Sequence, residues 1–115
     1  MYQLILLIPS TVDLKTFDEK WPTFLEEAEQ MPGLIRESVS LVDQSIYGQE
    51  SIRRIYTFSF QDKVALEGAL VSPPGEKAGK LLHELTGGKV TLLIADFQED
   101  TLDHIQSFIS PESGP

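Results

Sequence analysis

Apolar residues come in bursts along this chain, and the spacing within each burst changes. "YQLILLI", from Tyr2 to Ile8, is a near-continuous apolar run closed by Pro9, which predicts a strand covered on both faces. After Asp13, a candidate N-cap, the residues Leu14, Phe17, Trp21, Phe24, Leu25 and Ala28 recur at helical intervals, and "MPGL" ends that helix. Pro22 lies within it and either opens the regular part of the helix or kinks it. "LIRESVSLVD" and "SIRRIYTFSF" read as strands joined by a hairpin loop at "QSIYGQE", with Arg54, Tyr56, Phe58 and Phe60 on one face of the second. "QDKVALEGALVS" predicts a short helix with Val64, Ala65, Leu66, Ala69 and Leu70 on its apolar side, stopped by Pro73 and Pro74. A second helical piece then runs to about Leu85, "TGG" caps it, and "KVTLLIADF" is the last strand.

The order β-α-β-β-α-β predicts a ferredoxin-like α+β domain, an antiparallel four-stranded sheet with its helices on one face. The outer face of such a sheet meets water, so its strands should alternate apolar and polar. Here Leu4, Leu6 and Ile8 oppose Ile5 and Leu7, while Val90, Leu92 and Ile94 oppose Leu93 and Ala95. Both faces need cover, and a second copy of the sheet supplies it. The pattern therefore predicts a homodimer joined through the sheet face. Residues 1–98 make one domain. Residues 99–115 form an acidic tail in which Leu102, Ile105, Phe108 and Ile109 recur at helical spacing, predicting a short helix or arm that packs on the domain.

Composition narrows the partners. The chain has 115 residues, enough to bury a core without staples, and its net charge is -9. That charge repels phosphate backbones and anionic membranes, so neither nucleic acid nor a membrane is expected as a partner. The chain has no cysteine, which rules out thiolate chemistry and fits a reducing, cytoplasmic setting. The N-terminal apolar run is too short to span a membrane and has no basic residues before it. His83 and Glu84 are adjacent and point to different sides of a helix, so no metal site is expected. The sequence has no HExxH, Gly-x-Ser-x-Gly or Gly-x-Gly-x-x-Gly, and no cofactor is expected.

"VSPPGEKAGK" looks like a damaged phosphate loop, but its spacing is one residue short and Leu81 stands where a hydroxyl must bind magnesium. It also follows a helix rather than a strand. "ALVSPPGEKAGKLLHELTGGKVTLLIADF" instead resembles the C-terminal half of the EthD-like family of dimeric α/β-barrel proteins. "YQLILLIPS" and "FDEKWPTFLEEAEQMPGLIRESVS" are similar to that family's first strand, its Phe-x-x-x-Trp helix and its Pro-Gly-Leu lead into strand two. The resemblance covers Met1 to Gln98 and implies a dimeric α/β barrel with a hydrophobic pocket between sheet and helices. It also implies a small-ligand-binding or accessory role in ether or aromatic catabolism. Its rivals are a cofactor-free oxygenase or isomerase, which would make the chain an oxidoreductase or isomerase, and a structural dimer with a filled core.

Candidate pocket residues are Trp21, Phe24, Tyr56 and Phe58, whose alternative fate is core packing. Candidate proton-transfer residues are His83 and Tyr56. The alternative for His83 is a place near a helix C-terminus, where the dipole favours it. Many EthD-like members carry a histidine in the first helix, near the segment that here reads "WPTFLEEAEQ" and has none. Arg36-Glu37 and Arg53-Arg54 fall on paired strands, where a cross-strand ion pair is expected.

Overall fold

A computed structural model describes residues 1–100, so the expected docking of residues 101–115 lies outside the described residues. The elements are β1 (Tyr2–Pro9), α1 (Leu14–Ala28), β2 (Leu34–Leu41), β3 (Ile52–Phe60), α2 (Lys63–Leu70), α3 (Pro73–Thr86) and β4 (Thr91–Asp96). The sheet is antiparallel throughout, in the order β2-β3-β1-β4. This is the expected ferredoxin-like arrangement, with its second helical stretch broken in two.

The break is local chemistry. Ser72 caps α3 through its hydroxyl, which accepts from the Gly75 N–H at 3.2 Å, and Pro73 and Pro74 fill the first turn, where no N–H is needed. The prolines thus start α3 as much as they stop α2. Gly75 is required by space, because a Cβ there would collide with the Ala69 carbonyl of the preceding helix. At the far end Gly87 takes a left-handed φ of 62° as the C-cap. One packing expectation is corrected. Val64 is 78% exposed, so the buried side of α2 is Leu66 and Ala69. On α3 Ala78 is buried against the core, while Gly79 faces open space.

Helix α1 starts at Asp13, whose carboxylate accepts from the Thr16 hydroxyl (2.8 Å) and the Lys15 N–H (3.3 Å). These bonds, the Thr16 one foremost, lower the Asp13 pKa. Pro22 sits inside the helix on its exposed side, an intrinsic cost of about 3 kcal/mol. Burial of Phe17, Trp21, Phe24 and Ala28 on the opposite side offsets it.

The core lies between the helices and the central strands β1 and β3, where Leu4, Leu6, Ile8, Tyr56, Phe58 and Phe60 are buried. Strands lie about 4.8 Å apart and packed helices about 10 Å apart, so a two-helix layer covers the centre of four strands better than their edges. On β4 the register puts Leu92 beside Leu6 and Ile94 beside Leu4 on the helix side, yet they are 51% and 48% exposed. On β2 every residue after Leu34 is exposed. On the outer face Ile5, Leu7 and Ile55 are half-buried in the single chain, and Leu93 is 44% exposed.

Candidate functional site

The uncovered β2 edge leaves a cleft of about 170 Å³ between α1 and the sheet. Leu25 of α1 forms one wall, Glu37, Ser38 and Val39 of β2 the other, and Tyr56 and Phe58 of β3 the floor. The antiparallel register sets Glu37 opposite Phe58 and Val39 opposite Tyr56, so strand pairing places these four side chains on the helix side of the sheet.

The floor is held by aromatic packing. The rings of Trp21 and Tyr56 meet with centroids 4.0 Å apart, Phe17 stacks on Trp21 at 4.9 Å, and Phe24 meets Phe58 edge-on at 6.2 Å. Arg54 donates to the Tyr56 hydroxyl at 3.5 Å, pairs with Asp18 at 3.3 Å and lies 5.2 Å above the centre of the Phe17 ring. The expected cross-strand ion pair between β2 and β3 is therefore absent. Arg36 faces Ser59, Glu37 faces Phe58, Arg54 turns to α1, and Arg53 donates to the Ser10 carbonyl at 2.9 Å.

Glu37 is the polar group of the cleft that sequence reasoning assigned to an ion pair. It stays open to solvent on one side. Partial burial on the other, then the hydrogen bond and charge of Glu29 beyond the end of α1, push its carboxyl up to about 7. The sequence signal was slight: a glutamate at an inward-facing register position of an edge strand.

The predicted site residues divide. Tyr56 and Phe58 line the cleft together, and Trp21 supports it from behind. Phe24 belongs to the neighbouring core seam of about 50 Å³, which Phe58 also touches. His83 is elsewhere. It is exposed in the last turn of α3, in an open hollow with Glu76, Gly79, Lys80 and Glu84, and does not line the cleft that holds Tyr56. Its ring packs against Gly88. Among the described residues no group of three or more His, Asp or Glu side chains is arranged to hold a metal ion, and no helix is long and apolar enough to cross a membrane.

A four-stranded antiparallel sheet in this order, with one helical layer and a cleft beneath the first helix, defines the ferredoxin-like class. No family model matches the sequence, and no curated protein matches it. Solved structures do. An EthD family protein from Bacillus halodurans aligns with a TM-score of 0.76 and 25% identity, over 85% of this chain and 99% of that one. A dimeric ferredoxin-like protein of unknown function from Jannaschia sp. aligns with a TM-score of 0.60 and 20% identity, over 84% and 97%. A cofactor-independent oxygenase from Streptomyces nogalater aligns with a TM-score of 0.62 and 14% identity, over 88% and 95%. The chain fits an EthD-like, ferredoxin-like family that includes dimeric proteins.

Proposed function

We propose that this chain is a small-molecule-binding or accessory protein of the EthD-like type, active in ether or aromatic catabolism, with the cleft under α1 as its ligand pocket. The cleft itself carries this reading: about 170 Å³ of mostly apolar space over the Tyr56 and Phe58 rings. A cavity of about 150 Å³ lined by aliphatic and aromatic side chains is enough to hold benzene, so the ligand is a single ring with few substituents. Packing of Trp21, Phe17 and Phe24 fixes the floor beforehand, so little ordering is lost on binding.

The sole tryptophan, Trp21, packs on Tyr56 and reports on the cleft. Titration with toluene is expected to give a saturable change in Trp21 emission, and Val39→Phe, which fills the cleft, to abolish it. An unresponsive wild-type chain at the solubility limit of toluene would sink this reading.

The working unit is a cytoplasmic homodimer joined through the outer sheet face, built from residues 1–98 with 99–115 as an appended tail. The apolar stripe of Ile5, Leu7, Ile55 and Leu93 supports it, as does the dimeric state of ferredoxin-like relatives. Leu93→Asp is expected to give monomers in light scattering. A monodisperse wild-type monomer at micromolar concentration contradicts the dimer. Tyr56 at the floor favours a second reading, a cofactor-free oxygenase or isomerase. Turnover that disappears in Tyr56→Phe would mark it.

A further inference from the structure

Strand β4 is a sheet edge whose helix side is left open. Leu92 and Ile94, in register with Leu6 and Leu4, lie on that side half exposed, and Val90 before them packs against the core. Helix α3 borders this apolar strip. Gly79 of α3 and Leu92 line the same narrow seam, and a Cβ at Gly79 would meet nothing within 4 Å. Lys77 turns towards α1, where it pairs with Glu27 at 3.0 Å, so Gly79, about 200° further round the helix, turns away from it. These residues leave a shallow groove with an apolar strand as its floor and a glycine in its wall. A dimer joined through the outer sheet face does not cover it, since that opposite face carries Ile5, Leu7, Ile55 and Leu93.

The chain beyond the described residues supplies an occupant of the right pattern and reach. The Phe97 N–H donates to the Met1 carbonyl at 2.8 Å, so the chain leaves the sheet at the Ile94 end of the strip. Four residues, Gln98 to Thr101, then precede Leu102. Extended, they span about 13 Å, more than the roughly 10 Å between packed elements, so the chain can turn back over β4. Leu102, Ile105, Phe108 and Ile109 gather on one side of a helix, whereas in a strand Leu102 and Phe108 would face away from Ile105 and Ile109. From Leu102 to Ile109 is about 10 Å along a helix, and from Val90 to Ile94 about 13 Å along a strand. The two apolar stripes match in length.

We propose that residues 102–109 form an amphipathic helix that docks, within the same chain, on the helix side of β4, over Leu92 and Ile94 and against Gly79. This helix extends the helical layer over the sheet edge that α3 leaves open, and it removes Leu92 and Ile94 from water. Gly79 gives the incoming helix close approach, because no side chain of its own stands in the way. Asp103, His104 and Ser107 fall on the other side of the docked helix, where they stay solvated. The docking does not depend on what occupies the cleft under α1.

The test is the nuclear Overhauser spectrum of the methyl-labelled full chain, alone and mixed with unlabelled chain. Contacts from the Leu102 and Ile105 methyls to those of Leu92 and Ile94 are expected, and filtered spectra of the mixture should place them within one chain. Contacts found only between copies, contacts to Leu93 on the outer face, or none from the tail at all would each overturn the proposal. Melting gives a second readout. Ile94→Asp and Ile105→Asp are each expected to lower Tm by about 5 °C, and the double variant by little more than either alone, since both break one contact. Losses that add, or an Ile105→Asp chain that melts like wild type, overturn docking at this site. Gly79→Gln should abolish the methyl contacts and lower Tm. A rise in Tm instead, as expected when glutamine replaces glycine on a bare helix surface, would show the groove to be empty and overturn the proposal.

Discussion

Two hollows on this chain each hold titratable side chains, and they differ in what stands behind them. Around His83 the surface is open, bordered by Glu76, Lys80 and Glu84, and water reaches the group from most directions. Around Glu37 and Tyr56 one side is solvent and the other is a wall of Leu25, Val39 and Phe58. A polar group gains leverage on a ligand when water is excluded from part of its surroundings, because electrostatic interactions there are screened less. The difference teaches that the residue type most associated with proton transfer is less informative here than the wall behind it.

The largest contrast should appear in stability. Tyr56→Ala removes a buried ring packed on Trp21 and is expected to cost about 3 kcal/mol in urea denaturation. His83→Ala, on an exposed surface, should stay within about 0.5 kcal/mol of wild type. Equal losses would erase the distinction between the two hollows.

A smaller effect follows from linkage. The folded state raises the Glu37 pKa from 4.5 to about 7, so between these values the folded chain binds more protons than the unfolded one. Glu37 therefore lowers stability as pH rises across that window, with the penalty absent below it and complete above it. Glu37→Gln lacks this penalty, so its melting temperature relative to wild type should rise between pH 4.5 and pH 7. A constant difference over that range would mean that the carboxyl titrates normally. Smallest of all, His83→Gln should leave toluene binding within about twofold of wild type, since His83 does not line the cleft. A tenfold loss would tie the two hollows together.

Most of the fold was legible because its signals are local. The apolar run of β1, the Asp13 cap, the prolines at 73 and 74 and the glycine at 87 each constrain the backbone within a few residues. The unequal width of the two layers was not legible. It depends on where α1 and α3 come to rest over the sheet, and it exposes Leu92 and Ile94 on the helix side. The floor of the site, Tyr56 and Phe58, was visible as an inward-facing aromatic pair. Its polar end was missed because Glu37 reaches the cleft only through the register of β2 on β3. In the sequence Glu37 reads as one half of a cross-strand ion pair with Arg53 or Arg54, until strand register sets it opposite Phe58.

The central claim is that the cleft under α1, and not the hollow on α3, takes the ligand. Backbone amide shifts of the isotope-labelled full chain, followed during titration with toluene, test it most directly. The account predicts saturable shifts at Leu25, Val39, Tyr56 and Phe58, with Gly79, Lys80, His83 and Glu84 unmoved. Shifts concentrated on the α3 residues, with the cleft residues unmoved, would contradict it.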